Sequence, residues 1–125
     1  PRHTTNTVTV RPWPALKKGR LYKGKVGRIH INRKRKTLEV VIENLDPDQA
    51  GRLHAFALTL PLHPGNPASC FLTACGRKAD AIGGEIRIDD LEGTKVAMRF
   101  SSTESEDVQF VRFDEARPPR TQILE

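Results

Sequence analysis

The stretch "GRLYKGKVGRIHI", residues 19–31, carries the decisive pattern of the chain. Tyr22, Gly24 and Val26 share one parity, and Ile29 and Ile31 take the opposite parity across Gly27. Period-two alternation marks a strand, and a change of parity at a glycine marks a β-bulge or sharp bend within it. A strand bent in this way lets one sheet turn back on itself. Lys23, Lys25 and Arg28 fall on the outward parity.

Four consecutive cations, Arg33, Lys34, Arg35 and Lys36, follow this strand. Alternation then resumes, with Leu38, Val40 and Ile42 set against Glu39, Val41 and Glu43. The cations therefore occupy a hairpin tip. "NLDPDQAGR" supplies the Asn, Asp, Pro and Gly of a turn, and "LHAFALTL" reads as a third strand. Its Phe56, Leu58 and Leu60 are expected to face the core, and Ala55, Ala57 and Thr59 to face outward. In "PLHPGNPASCFLTACG", Asn66 suits a helix cap, Pro67 the first helical position and Gly76 the end, so one short helix is expected. After the loop "RKADAIGG", Ile86, Ile88 and Leu91 lead to a turn at Glu92 and Gly93. "TKVAMRF" and "VQFVRF" then read as two more strands, separated by an acidic loop.

A length of 125 residues is that of one domain with a single core. The chain holds 21 Lys and Arg against 15 Asp and Glu, a net charge of +6. Its distribution is more telling than its size. From Lys17 to Lys36 the cations are Lys17, Lys18, Arg20, Lys23, Lys25, Arg28, Arg33, Lys34, Arg35 and Lys36, with no acid among them. Glu104, Glu106 and Asp107 cluster in the last loop. A basic side opposed to an acidic one suits orientation on a polyanion.

No apolar stretch approaches the roughly 20 residues of a membrane-spanning helix, and the N-terminus lacks a signal peptide's apolar core. Two cysteines, Cys70 and Cys75, do not make a disulfide framework. A soluble, cytoplasmic protein with reduced thiols is expected. Residues 1–18 read as an arm, flexible or ordered on binding, 19–114 as the folded body and 115–125 as a tail.

The order of three strands, a short helix and two further strands, with a glycine-bent first strand, is that of the OB-fold. In "GRLYKGKVGRIHI", "TLEVVIEN", "GRLHAFALTL", "PASCFLTACG" and "LEGTKVAMRF" the chain resembles small bacterial and phage or plasmid-encoded OB-fold proteins that bind single-stranded DNA. The resemblance covers residues 19 to 113. It implies an all-β fold with one short helix, a five-stranded OB-fold Greek-key barrel with the helix between strands three and four. It also implies a ligand path across strands two and three, flanked by the loop between strands one and two, here "NRKRK", and the acidic loop between strands four and five.

Cations on a hairpin tip follow a phosphate backbone by releasing counterions, without reading sequence. They also simply blunt a sheet edge and keep it soluble. Lys23, Lys25, Arg28, Arg33, Lys34, Arg35, Lys36 and Arg52 are the candidate contacts, with Trp13, His30 and His54 as candidate stacking rings; a tryptophan folded back on the barrel fits Trp13 equally, and lone strand histidines are more often structural. The chain has seven Phe, Tyr and Trp residues, and most sit on apolar parity. Against this, Glu39 and Glu43 face outward on strand two and the last loop is acidic, an arrangement that also suits contact with a neighbouring subunit's hairpin. The outward row Ala55, Ala57 and Thr59, with Val41 beside it, suits a protein-assembly adaptor, and structured RNA would meet the same cations.

No Walker-type phosphate loop, no Gly-x-Ser-x-Gly and no zinc-ligand spacing is present. Asp89, Asp90 and Glu92 beside a Gly turn read as solubilising loop residues and not as a magnesium site. A non-catalytic protein without a metal or other cofactor is expected, binding single-stranded DNA with little sequence preference in replication, recombination or mobile-element processes, or alternatively RNA or a partner protein, with homo-oligomerisation open.

Overall fold

The computed structural model describes residues 7–78, 82–101 and 108–116. The acidic residues Glu104, Glu106 and Asp107, part of the loop before the fourth strand and the ends of the arm and tail lie outside the described residues.

Five antiparallel strands form one sheet: β1 (Leu21–Asn32), β2 (Thr37–Asn44), β3 (Leu53–Thr59), β4 (Lys95–Phe100) and β5 (Val108–Arg112), in the order β3-β2-β1-β4-β5. One short helix, α1 (Pro67–Ala74), follows β3. Its cap is the one the sequence announces: the Asn66 side chain accepts a hydrogen bond from the Ser69 amide. Short 3-10 turns at Pro47–Gln49 and Phe113–Ala116 complete the described elements.

The register of β1 against β2 shifts between Val26 and Arg28, leaving Gly27 as the extra residue. Before the bulge Tyr22, Gly24 and Val26 point inward; after it Ile29 does. The bend lets β1 pair with β4 from Leu21 to Lys25 and with β2 from Gly24 to Asn32. The second glycine has a different task. A Cβ on Gly24 would come within 2.6 Å of the Ile42 Cγ2 and 2.9 Å of the Met98 Cε, so the core closes directly onto its backbone.

The sheet curls until its two outer strands meet through side chains. Phe56 of β3 and Phe110 of β5 pack edge to face with ring centroids 5.2 Å apart, and Phe71 of α1 packs edge-on against Phe110 at 5.0 Å. Around them Val26, Leu38, Val40, Ile42, Val96, Met98 and Phe100 fill a continuous apolar core. Cys70 is exposed and Cys75 half-buried, both as free thiols; burial pushes the Cys75 thiol up to about 12. No helix among the described residues is long and apolar enough to cross a membrane.

Candidate nucleic-acid interface

The outward parity of β1 carries Lys23, Lys25, Arg28 and His30, alternating with the buried Tyr22, Gly24 and Val26 and, past the bulge, with Ile29. Lys25 stands opposite Glu43 of β2 on one side and opposite Lys95 of β4 on the other. The Lys95 ammonium lies 5.4 Å from the centre of the Phe113 ring, a cation–π contact that holds it on this face. Lys23 faces Ala97, which is fully buried although it lies on the outward parity of β4, and the Phe113–Ala116 turn contacts both β1 and β4.

Glu39 is not a bare carboxylate in the path. Its Oε1 pairs with the His30 Nε2 at 3.0 Å, and its Oε2 accepts hydrogen bonds from the Asn32 amide at 3.0 Å and the Thr37 hydroxyl at 3.3 Å. Three neighbours on β1 and β2 thus share its charge. Arg28, His30, Glu39 and Val41 line a shallow groove of about 300 Å³ with Ala55 and Ala57 of β3.

All four cations of the hairpin tip, Arg33, Lys34, Arg35 and Lys36, are exposed. None forms an ion pair with another described residue. The loop is closed by the pair Asn32 and Thr37, and the Asn32 Oδ1 accepts from the Arg35 amide at 3.0 Å. Lys36 adopts φ +56°, a left-handed conformation that L side chains visit at a cost and that glycine or asparagine fills more readily. Its carbonyl accepts from the Leu60 amide at 2.9 Å, fastening the tip to the end of β3.

Arg52 and Trp13 sit at the other end of β2. Seven strand steps of about 3.3 Å separate its two ends, roughly 23 Å, so these residues do not join the hairpin in one cluster. The Gln49 amide donates to the Pro14 carbonyl at 2.6 Å, the Arg52 guanidinium donates to the Gln49 Oε1 at 3.0 Å, and Trp13, 47% exposed, lies beside Gly51. The arm is anchored here: Leu16 is buried in the core, and the Lys17 amide donates to the Tyr22 hydroxyl at 2.7 Å. Arg20 is spent on a two-pronged contact with Asp48, at 3.0 and 3.1 Å, while stacked 4.4 Å over Tyr22. The hydrogen bond from Arg20 holds the Asp48 carboxyl below its usual range.

His54 lies inside the sheet at 2% exposure, its ring 5.2 Å from that of Phe100 and its Nε2 3.2 Å from the Asn44 amide nitrogen. Burial, helped by the Arg52 charge, pushes its pKa down to about 4. A stacking role on an external base does not fit this position, since the imidazole is core packing.

The structure therefore brings together Lys23, Lys25, Arg28 and the hairpin as one track along β1, with Arg52 and Trp13 beyond its far end. Lys95 is the functional candidate that reading the sequence overlooked. Its signal was available, because it occupies the outward parity of the strand whose inward residues, Val96, Met98 and Phe100, announced it. Asp89 and Asp90 are taken up by Arg87 at 3.5 Å and Arg77 at 3.0 Å, and among the described residues no three acidic, His or Cys side chains gather as a metal site. Comparison with protein-family models, curated proteins and solved structures finds no match for this chain.

Proposed function

We propose that this chain is a non-catalytic OB-fold protein that binds single-stranded DNA with little sequence preference. The carrying observation is the cationic track: Lys23, Lys25 with Lys95 opposite it, and Arg28 lead along β1 to four hairpin cations without described ion-pair partners. Like charges set directly across a ladder cost stability, and a phosphate chain passing over them offsets that cost by releasing counterions. The bent β1, the strand order and the meeting of Phe56 with Phe110 support the OB reading, in which β3 and β5 approach to close the barrel.

The strand would follow β1 and its hairpin by electrostatic tracking, with Trp13 and Arg52 available to a longer ligand at the far end of β2. The engagement of Glu39 with His30, Asn32 and Thr37 removes one objection to a path beside β2. The deciding experiment is fluorescence anisotropy of labelled oligo-dT at two salt concentrations, with duplex DNA and single-stranded RNA as competitors. Salt-sensitive binding that neither the duplex nor the RNA displaces is expected. No binding at low salt overturns the reading, and efficient displacement by RNA redirects it to an RNA ligand.

A further inference from the structure

A groove of about 730 Å³ runs between the outer edges of β3 and β5. Half-buried Val108 and the edges of Phe56 and Leu58, 9% and 7% exposed, supply its apolar lining, with Lys18 and Gln109 among its other walls. Neither strand has a described ladder partner on this side, since β3 pairs only with β2 and β5 only with β4. Two unpaired strand edges beside an apolar groove make a receptor for an added strand.

The same molecule presents a segment with the matching chemistry. Thr7 to Arg11 reads Thr-Val-Thr-Val-Arg, an alternation of β-branched residues outside any strand of the sheet. Val8 and Val10 share one parity and are 88% and 95% exposed. Laid along β3, five residues span about 17 Å, within the reach of its seven-residue edge. Both valines would then face the groove while Thr7, Thr9 and Arg11 face water.

The segment does not cover its own groove. The Pro14 carbonyl is held by Gln49 at the turn between β2 and β3, Leu16 is buried, and Pro12 and Pro14 restrict the chain on either side of Trp13. Residues 7–11 therefore project from the body with their valines uncovered. We infer that Thr7–Arg11 of one copy adds as a strand to the β3 edge of a second copy, burying Val8 and Val10 in the groove between β3 and β5. Reciprocal exchange of the two arms closes a two-fold dimer. The inference is independent of the nucleic-acid reading.

The test is sedimentation velocity of the 125-residue chain across a concentration series, beside the variant Val8→Asp/Val10→Asp, with hydrogen exchange at matched concentrations. Both valines are exposed in the monomer, so the variant should keep the melting temperature of the dilute protein. Expected results are a dimer whose dissociation constant rises on the order of a hundredfold in the variant, and protection of the β3 amides that appears with dimerisation and is lost in the variant. A monomer at every concentration, a dimer indifferent to the two aspartates, or dimerisation without protection of β3 overturns the inference.

Discussion

Lys25 and Lys95 face each other as directly opposed residues of the β1 and β4 ladder, with Glu43 the opposed residue on the other side of Lys25. A like-charge cross-strand pair is destabilising by a few tenths of a kcal/mol up to about 1 kcal/mol. Lys95→Glu relieves that pair but gives up the cation–π contact with Phe113, terms of similar size, so the stability of the free protein, measured by urea unfolding, should change by less than about 0.5 kcal/mol, while oligo-dT binding weakens several-fold at low salt. A variant that binds as tightly as the native chain would remove β4 from the interface.

The hairpin makes a separate prediction about salt. Each phosphate contact to a single strand contributes about 0.7 to the slope of log affinity against log salt. Replacing Arg33, Lys34, Arg35 and Lys36 by serine should lower affinity for every sequence and flatten that slope by up to about 2.8, four contacts' worth. Lys36→Gly alone should leave the backbone at φ +56° intact and cost only one contact.

His54 makes stability depend on pH in a defined window. Its folded pKa, about 4, lies below the usual 6.5, so the unfolded chain binds the proton first as pH falls. Stability should be unaffected by this group above about pH 6.5, decline from there to about pH 4, and level off below. The full effect is about 3 kcal/mol. Urea unfolding at pH 7, 5.5 and 4 should give a steeper loss for the native chain than for His54→Gln, which has no imidazole to titrate.

Two glycines of one strand should respond differently to alanine. At Gly24 the added methyl meets Ile42 and Met98 inside van der Waals contact, and the core must shift, at a cost of about 1–3 kcal/mol. At Gly27 it meets only the Val41 carbonyl oxygen at 3.5 Å, so Gly27→Ala should lower the melting temperature far less. Equal losses at both would mean that the bulge itself requires glycine.

Where local chemistry decides structure, the sequence was legible. The parity change at Gly27, the alternation of β2 and β3 and the Asn66 cap each depend on residues within a few positions of one another, and each stands in the structure. Contacts between distant residues were not legible. The Gln49 bond that fixes the arm reaches Pro14 across 35 positions, and no local pattern announces it. The contact of the Phe113–Ala116 turn with β1 and β4 is of the same kind. His54 is instructive in another way: it shares the parity of Phe56 and Leu58, and its burial among core rings follows the structural reading of a lone strand histidine and not the stacking one. Reading each strand's outward residues as carefully as its inward ones would have found Lys95.

The bond between the Lys36 carbonyl and the Leu60 amide, with that between Asn32 and Arg35, means that the hairpin tip is already set when the chain folds. A binding partner would then have to order only four side chains and not a loop. Ordering costs about 0.5–1.5 kcal/mol for each immobilised long side chain, and a preformed backbone avoids any further penalty. Association through this tip should accordingly be fast and carry a side-chain entropy loss without a backbone one, the behaviour of a rigid prong and not of a closing clamp.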